Sequence, residues 1–385
     1  MAKYKYPCTG HISIEGFGRY LEEECTASRR NIKFFSEELL ERFDFPYVTL
    51  TNSGSSANFA AAMLLAEKVK CAGLPLTAAV SAFTFPTTID SLLMAGFAIR
   101  VVDVDPGEFN ISFSRLKELQ PVPSVAAVTH FLGFPCAIAK IAEYIHGYGG
   151  FVLQDACETL GMEVNGRPIH EYGDVTTLSF YHPHHMSSYG GGAVITLNQE
   201  DYIIADSVVH WGRACKCHID ESLCCVPQGP AHQFTYERVG ANLEMSELNA
   251  CFGRWQFRNY SEIEERRKAN YECLYQLCRY NRNLRIWEAP NTRTSAFVFP
   301  VQLVNGWTIS DAFKILSEKQ IEIRTLMGGV CNEQQAFRGI LNGEILENAH
   351  TMAETTFFVG IHQTLKKESI QHVAAELAEI GKMPK

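Results

Sequence analysis

Between Pro46 and Thr196, short apolar runs take turns with helical stretches, and this alternation restricts the chain to an α/β fold with a mostly parallel sheet. Tyr47-Val48-Thr49-Leu50 reads as the first strand, and Ser56 to Lys68, rich in alanine and leucine, as a helix. Ala78-Ala79-Val80, Ile99 to Val104, Val125 to Val128, Phe151 to Gln154, Val175 to Tyr181 and Ala193 to Leu197 read as further strands, giving a seven-stranded sheet. Ile138 to Ile145 is helical between two of them. Met245 to about Tyr280 has a helical pattern with charges on one face and could bridge two domains. After Asn281 a smaller α+β unit begins, with Thr294 to Leu303 strand-like and Lys366 to Ile380 helical. At 385 residues the chain has room for a large domain, 1–260, and a small C-terminal one, 261–385.

The net charge of −9 argues against nucleic-acid or membrane-surface partners. No apolar run is long enough to span a bilayer, and Met1 to Pro7 lacks the apolar core of a secretory signal, so a cytoplasmic protein is expected. Thirteen cysteines are many for such a compartment, where thiols act as buried apolar residues or metal ligands.

Three segments carry chemistry. Thr51-Asn52-Ser53-Gly54-Ser55-Ser56 joins a strand to a helix. Gly54 permits a tight turn, and the free amides and the Ser55 and Ser56 hydroxyls can cradle a phosphate, although a serine-rich helix cap also occurs without one. Asp155 ends an apolar strand, where ligands of open α/β sheets bind, and its carboxylate suits a protonated pyridine nitrogen or simply a helix cap. Ser179-Phe180-Tyr181-His182-Pro183-His184-His185-Met186 precedes Gly190-Gly191-Gly192 and offers histidines able to accept a proton near neutral pH. Phe85, in Phe83-Thr84-Phe85-Pro86, could stack on a ring or belong to the core.

Taken in order, Asn-Ser-Gly-Ser-Ser-Ala at Asn52, Phe-Thr-Phe-Pro at Phe83, Asp-Ala-Cys-Glu at Asp155, Ser-Phe-Tyr at Ser179 and Gly-Ala-Asn-Leu at Gly240 resemble the DegT/DnrJ/EryC1/StrS sugar aminotransferase family, closely over Pro46 to Phe257 and more loosely beyond. The resemblance implies the aspartate-aminotransferase-like fold (pyridoxal phosphate fold type I), a homodimer with active sites at its interface, and pyridoxal or pyridoxamine phosphate as cofactor. Gly54, Ser55 and Ser179 would hold the phosphate, with Asn242 reaching the partner subunit's site. Asp155 would pair with the ring nitrogen, Phe85 would stack, and Glu158 stands where the aminotransferases have glutamine near the ring hydroxyl. His184 falls where those enzymes carry the lysine that binds the cofactor covalently. An imidazole has no primary amine to condense with an aldehyde. The swap resembles the histidine-bearing 3-dehydratase branch, which removes the C3 hydroxyl of nucleotide-linked 4-keto-6-deoxyhexoses, with His184 as base. Tyr181 would assist proton handling or pack on the ring.

Cys157, Cys215, Cys217 and Cys225 give the spacing C-x57-C-x-C-x7-C. This spacing, with the local text Trp211-Gly212-Arg213-Ala214-Cys215-Lys216-Cys217, resembles the iron–sulfur members of that branch. It implies a [2Fe-2S] cluster near the cofactor, fed by a flavin or ferredoxin-type reductase. Cys224 is a rival fourth ligand and a tetrahedral zinc site an alternative. The glutamate those members often carry before the final glycine pair is Gly190 here. Phe357 to Gln363 resembles instead a redox-neutral, glutamate-dependent dehydratase without a cluster. A homologue that has lost catalysis and only binds a sugar nucleotide is the third possibility. Arg213 and Arg324 are candidate diphosphate contacts.

Overall fold

The computed structural model describes residues 4–25, 30–290, 294, 296–304, 306–341 and 346–380. Seven strands form the main sheet: β1 (Tyr47–Thr51), β2 (Thr77–Ser81), β3 (Ala98–Val102), β4 (Val125–Thr129), β5 (Phe151–Asp155), β6 (Val175–Ser179) and β7 (Gly192–Thr196). Their order is β1-β7-β6-β5-β4-β2-β3. β7 runs antiparallel to both its neighbours, β1 and β6, and the other pairings are parallel. The expected α/β class, with a mostly parallel seven-stranded sheet, is what the chain forms. β4 is buried along its whole length, as expected of a strand covered on both faces.

Helix α1 (Gly54–Cys71) follows β1 and lies across β6 and β7. Its alanines at 57, 60, 61 and 62 are fully buried, and these small side chains let the helix lie close to the sheet. Ser53 caps it, accepting a 3.0 Å hydrogen bond from the Ser56 N–H. Because β2, β4, β5 and β6 are parallel, their carboxyl ends share one edge, where Asp155 and Ser179 terminate their strands.

Four short strands make a second, antiparallel sheet: β8 (Leu284–Ile286), β9 (Phe299–Leu303), β10 (Arg324–Thr325) and β11 (Thr356–Val359), in the order β8-β9-β11-β10. Phe299, Val301, Phe357 and Val359 share a buried core with Leu274 and Leu377. Tyr6 joins that core, and its hydroxyl donates to the Gly360 carbonyl at 2.6 Å.

The expected continuous helix from Met245 is two helices, α2 (Glu247–Phe257) and α3 (Tyr260–Cys278). Asn259, at φ −106° and ψ 10°, leaves helical geometry and starts the second; asparagine is a weak helix former that favours caps. α3 packs against α4 (Lys367–Ile380), close to the helix expected there. The strand read as Val175 to Tyr181 ends at Ser179, whose Oγ accepts from the Tyr181 N–H at 3.2 Å as the chain turns. The run read as Thr294 to Leu303 is strand only from Phe299, and it includes a residue, 295, outside the described ones. No helix among the described residues is long and apolar enough to cross a membrane.

Candidate active site

The carboxyl edge of the main sheet faces the small sheet across a cavity of about 1030 Å³. Gly54, Ser55, Phe85, Asp155, Cys157, Glu158, Ser179, Tyr181 and His184 all line it, so nine residues expected from scattered segments converge on one space.

A Cβ on Gly54 would stand 2.6 Å from the Ser179 Cβ and 3.1 Å from the Cys157 Sγ. Only glycine leaves room between the start of α1 and the end of β6, and the gap opens onto the free amides of the helix N-terminus. The Ser55 hydroxyl donates to Thr87 Oγ1 at 3.1 Å, placing a second hydroxyl at the same wall. This cradle fits a phosphate.

Asp155 is 3% exposed. Its Oδ2 accepts from Asn58 Nδ2 at 2.9 Å and Thr88 Oγ1 at 2.6 Å, and its Oδ1 from the Cys157 N–H at 3.2 Å. The carboxyl is held by these three bonds, and Oδ1, which accepts one of them, can accept another. Phe85, 51% exposed, and Tyr181, 62% exposed, border the same space.

His184 stacks on Phe297 with ring centroids 5.2 Å apart and planes inclined by 26°. Its Nδ1 is buried with no hydrogen-bond partner. Burial pushes the imidazole down to about 4, outweighing the pull of the Asp155 charge, so the ring is neutral at pH 7. His184 lines the cavity, and a neutral imidazole is able to accept a proton. Glu158 has the opposite displacement. Burial raises its carboxyl to about 8 against the 2.6 Å hydrogen bond donated by the Leu132 N–H. At neutral pH it is mostly a protonated acid, able to donate a hydrogen bond. The orphaned His184 nitrogen, the Gly54 gap and the acidic residue at the strand end together match a pyridoxal-type cofactor.

Some expected residues stand elsewhere. Asn242 is exposed and outside the cavity of its own chain. Arg324 does line the cavity, its Nε and Nη2 each 2.9 Å from Glu322 Oε1. Arg213 stacks on Trp211 at 4.4 Å instead.

The thiols depart from expectation. Cys215, Cys217 and Cys224 come together with His232, their ligand atoms all within 4.8 Å of one another, and neither Cys157 nor Cys225 joins that group. Cys157 is fixed to the sheet edge two residues beyond Asp155, whereas Cys225 is exposed with its Sγ toward the Leu223 carbonyl. The four thiols of the C-x57-C-x-C-x7-C pattern are therefore not all gathered at single-ion distances.

Several residues of the site escaped sequence reasoning. Asn58 and Thr88 hold Asp155; a polar Asn58 within an alanine-rich helix was a usable signal. Arg267 of α3 is buried and borders the cavity, with its Nη2 donating to the Phe297 carbonyl. Nothing in its charged helical context marks it out.

The signature of the DegT/DnrJ/EryC1/StrS aminotransferase family matches residues 11–378. The lipopolysaccharide biosynthesis protein RfbH of Salmonella typhimurium is 31% identical over 90% of this chain and 84% of its own. A dTDP-4-dehydro-2,6-dideoxy-D-glucose 3-dehydratase of Saccharopolyspora spinosa is 31% identical over 92% and 80%. Among solved structures, GDP-4-keto-6-deoxy-D-mannose-3-dehydratase of Escherichia coli with bound hydrated pyridoxal phosphate superposes with a TM-score of 0.87 at 20% identity, covering 98% of this chain and 99% of that one.

Proposed function

The chain belongs to the DegT/DnrJ/EryC1/StrS aminotransferase family, and on that premise we propose that it is a pyridoxamine-phosphate-dependent 3-dehydratase of a nucleotide-linked 4-keto-6-deoxyhexose. What supports the assignment is His184, which lines the pocket and which the sequence resemblance aligns with the lysine of the aminotransferases. The names of the relatives support the substrate class.

Bound pyridoxamine phosphate supplies an amine for the sugar ketone and a ring that absorbs charge. Gly54, Ser55 and Ser179 would hold its phosphate, and Asn242 would reach toward that of the partner subunit in a homodimer. Asp155, kept in place by Asn58 and Thr88, pairs with the ring nitrogen. Phe85 would stack on the ring, and Glu158, mostly protonated at neutral pH, would donate to the ring oxygen. His184 would accept the proton whose removal drives the hydroxyl off sugar C3 and would pass it to the departing hydroxyl, which leaves as water. Tyr181, which lines the cavity, would assist that proton transfer.

The redox-neutral form, in which glutamate supplies the amine and ammonia is released, needs no residue outside this pocket. The reductase-dependent form rests on the cysteine spacing, whose members the fold does not gather. The deciding experiment incubates the protein with pyridoxamine phosphate and CDP-, dTDP- or GDP-linked 4-keto-6-deoxyhexoses and follows the products by mass spectrometry and NMR. Loss of the C3 oxygen with glutamate alone is the expected result. Product formed only with an added reductant and reductase would identify the redox form. An amino sugar that retains its C3 hydroxyl would overturn the dehydratase assignment, as would calorimetric binding without turnover.

A further inference from the structure

From Cys215 to Thr235, beyond the helix Gln199–Val209, the chain forms a long loop whose regular structure is two single turns, Glu221–Leu223 and His232–Phe234. His232, 9% exposed, is the one buried residue in this stretch. A loop with no apolar core of its own needs another tie to hold one conformation.

The tie is present in the side chains. Cys215, Cys217, Cys224 and His232 place their ligand atoms within 4.8 Å of one another. His232 Nε2 lies 3.0, 3.3 and 3.7 Å from the sulfurs of Cys215, Cys217 and Cys224. In a tetrahedral site, bonds of about 2.3 Å to sulfur and about 2.1 Å to nitrogen set neighbouring ligand atoms roughly 3.6 Å apart. The other ring nitrogen, Nδ1, lies 3.1 Å from the Pro227 carbonyl. It therefore carries the hydrogen, and Nε2 turns its lone pair toward the thiols. A backbone carbonyl that fixes the tautomer and aim of a histidine in this way is the usual support of a metal-bound imidazole.

We propose that Cys215, Cys217, Cys224 and His232 bind a single zinc ion in a closed, structural site that folds the Cys215–Thr235 loop. Three sulfurs and one imidazole are the donor set that zinc takes in tetrahedral structural sites. Four protein ligands leave no open position for catalysis. Binding displaces the three thiol protons, so each sulfur enters as thiolate. A two-iron cluster would divide four thiolates between two metals; here three sulfurs and a nitrogen crowd to single-ion distances. Relative to the C-x57-C-x-C-x7-C pattern, Cys224 takes the place of Cys225 and His232 that of Cys157. The site stands independently of the dehydratase assignment.

The test is the metal content of the full-length protein produced with both zinc and iron supplied and purified without oxygen. One zinc per chain is expected, lost in Cys217→Ser and His232→Ala and kept in Cys157→Ser and Cys225→Ser. Wild-type protein stripped with a chelator should be cut by protease within residues 215–235 and become resistant again when zinc alone is restored, a readout free of any folding defect in the variants. Two irons with acid-labile sulfide, lost in Cys157→Ser or Cys225→Ser, would overturn the proposal. So would a metal-free protein whose loop is equally protected with and without zinc.

Discussion

Asn58 Nδ2 donates a 2.9 Å hydrogen bond to Asp155 Oδ2, locking the first turns of α1 to the end of β5. The chain is further braced by Thr177 Oγ1, which donates to Asn58 Oδ1 at 2.5 Å. Asn58→Ala removes a donor from a buried carboxylate and leaves the Thr177 hydroxyl only the Gln154 carbonyl, 3.4 Å away. A loss of about 1–3 kcal/mol in unfolding free energy is expected, together with weaker pyridoxamine phosphate binding. Denaturant titration and cofactor fluorescence measure the two.

Gly54→Ala places a methyl against Ser179 and Cys157. Overpacking of this kind costs about 1–3 kcal/mol. Because the gap is also the proposed phosphate cradle, cofactor affinity should fall further than stability does. Equal binding by Gly54→Ala and wild type would remove the cradle from the account.

Replacement of His184 by asparagine deletes the proposed base and keeps a polar side chain of smaller size. Turnover is expected to drop at least about 100-fold with cofactor binding retained. Single-turnover rates on protein saturated with cofactor separate the two effects, and a variant that retains wild-type turnover would clear His184 of any catalytic part.

The His184 imidazole, depressed by burial to about 4, contributes stability that is complete above its ordinary value of 6.5 and is lost as pH falls through about 4. Its ring carbons should keep neutral-imidazole NMR shifts at pH 6, where exposed histidines are half protonated or more. A His184 resonance titrating near 6.5 would contradict the burial seen here.

Glu158 works in the opposite sense. Its carboxyl, raised to about 8, contributes stability present below its ordinary value of 4.5 and lost as pH rises through about 8. Glu158→Gln, which keeps the shape without the charge, should flatten the fall in melting temperature between these limits. Thermal melts of cofactor-free protein across that range give the comparison.

Much of this molecule is written in short stretches of sequence. The Ser53–Ser56 turn, Asp155, Ser179 and His184 each lie at or just beyond a strand end, where apolar runs give way to polar residues, so local pattern located the elements, while the resemblance singled out the site residues. Boundaries slipped where a turn hydrogen bond or a weak helix former decided the matter, as at Ser179 and Asn259. Arg267 was illegible because its burial depends on α3 crossing toward Phe297, thirty residues away in sequence.

The sequence by itself determined the α/β layering and the strand ends that carry the pocket, because those follow from periodicity and residue identity. Only the tertiary structure decided which donors meet. Chain spacing limits how far Cys157 can reach from Cys215, but the backbone path sets where each sulfur points. β5 anchors Cys157 at the sheet edge, and the loop beyond Cys215 folds back to bring His232 to Cys217 and Cys224 instead.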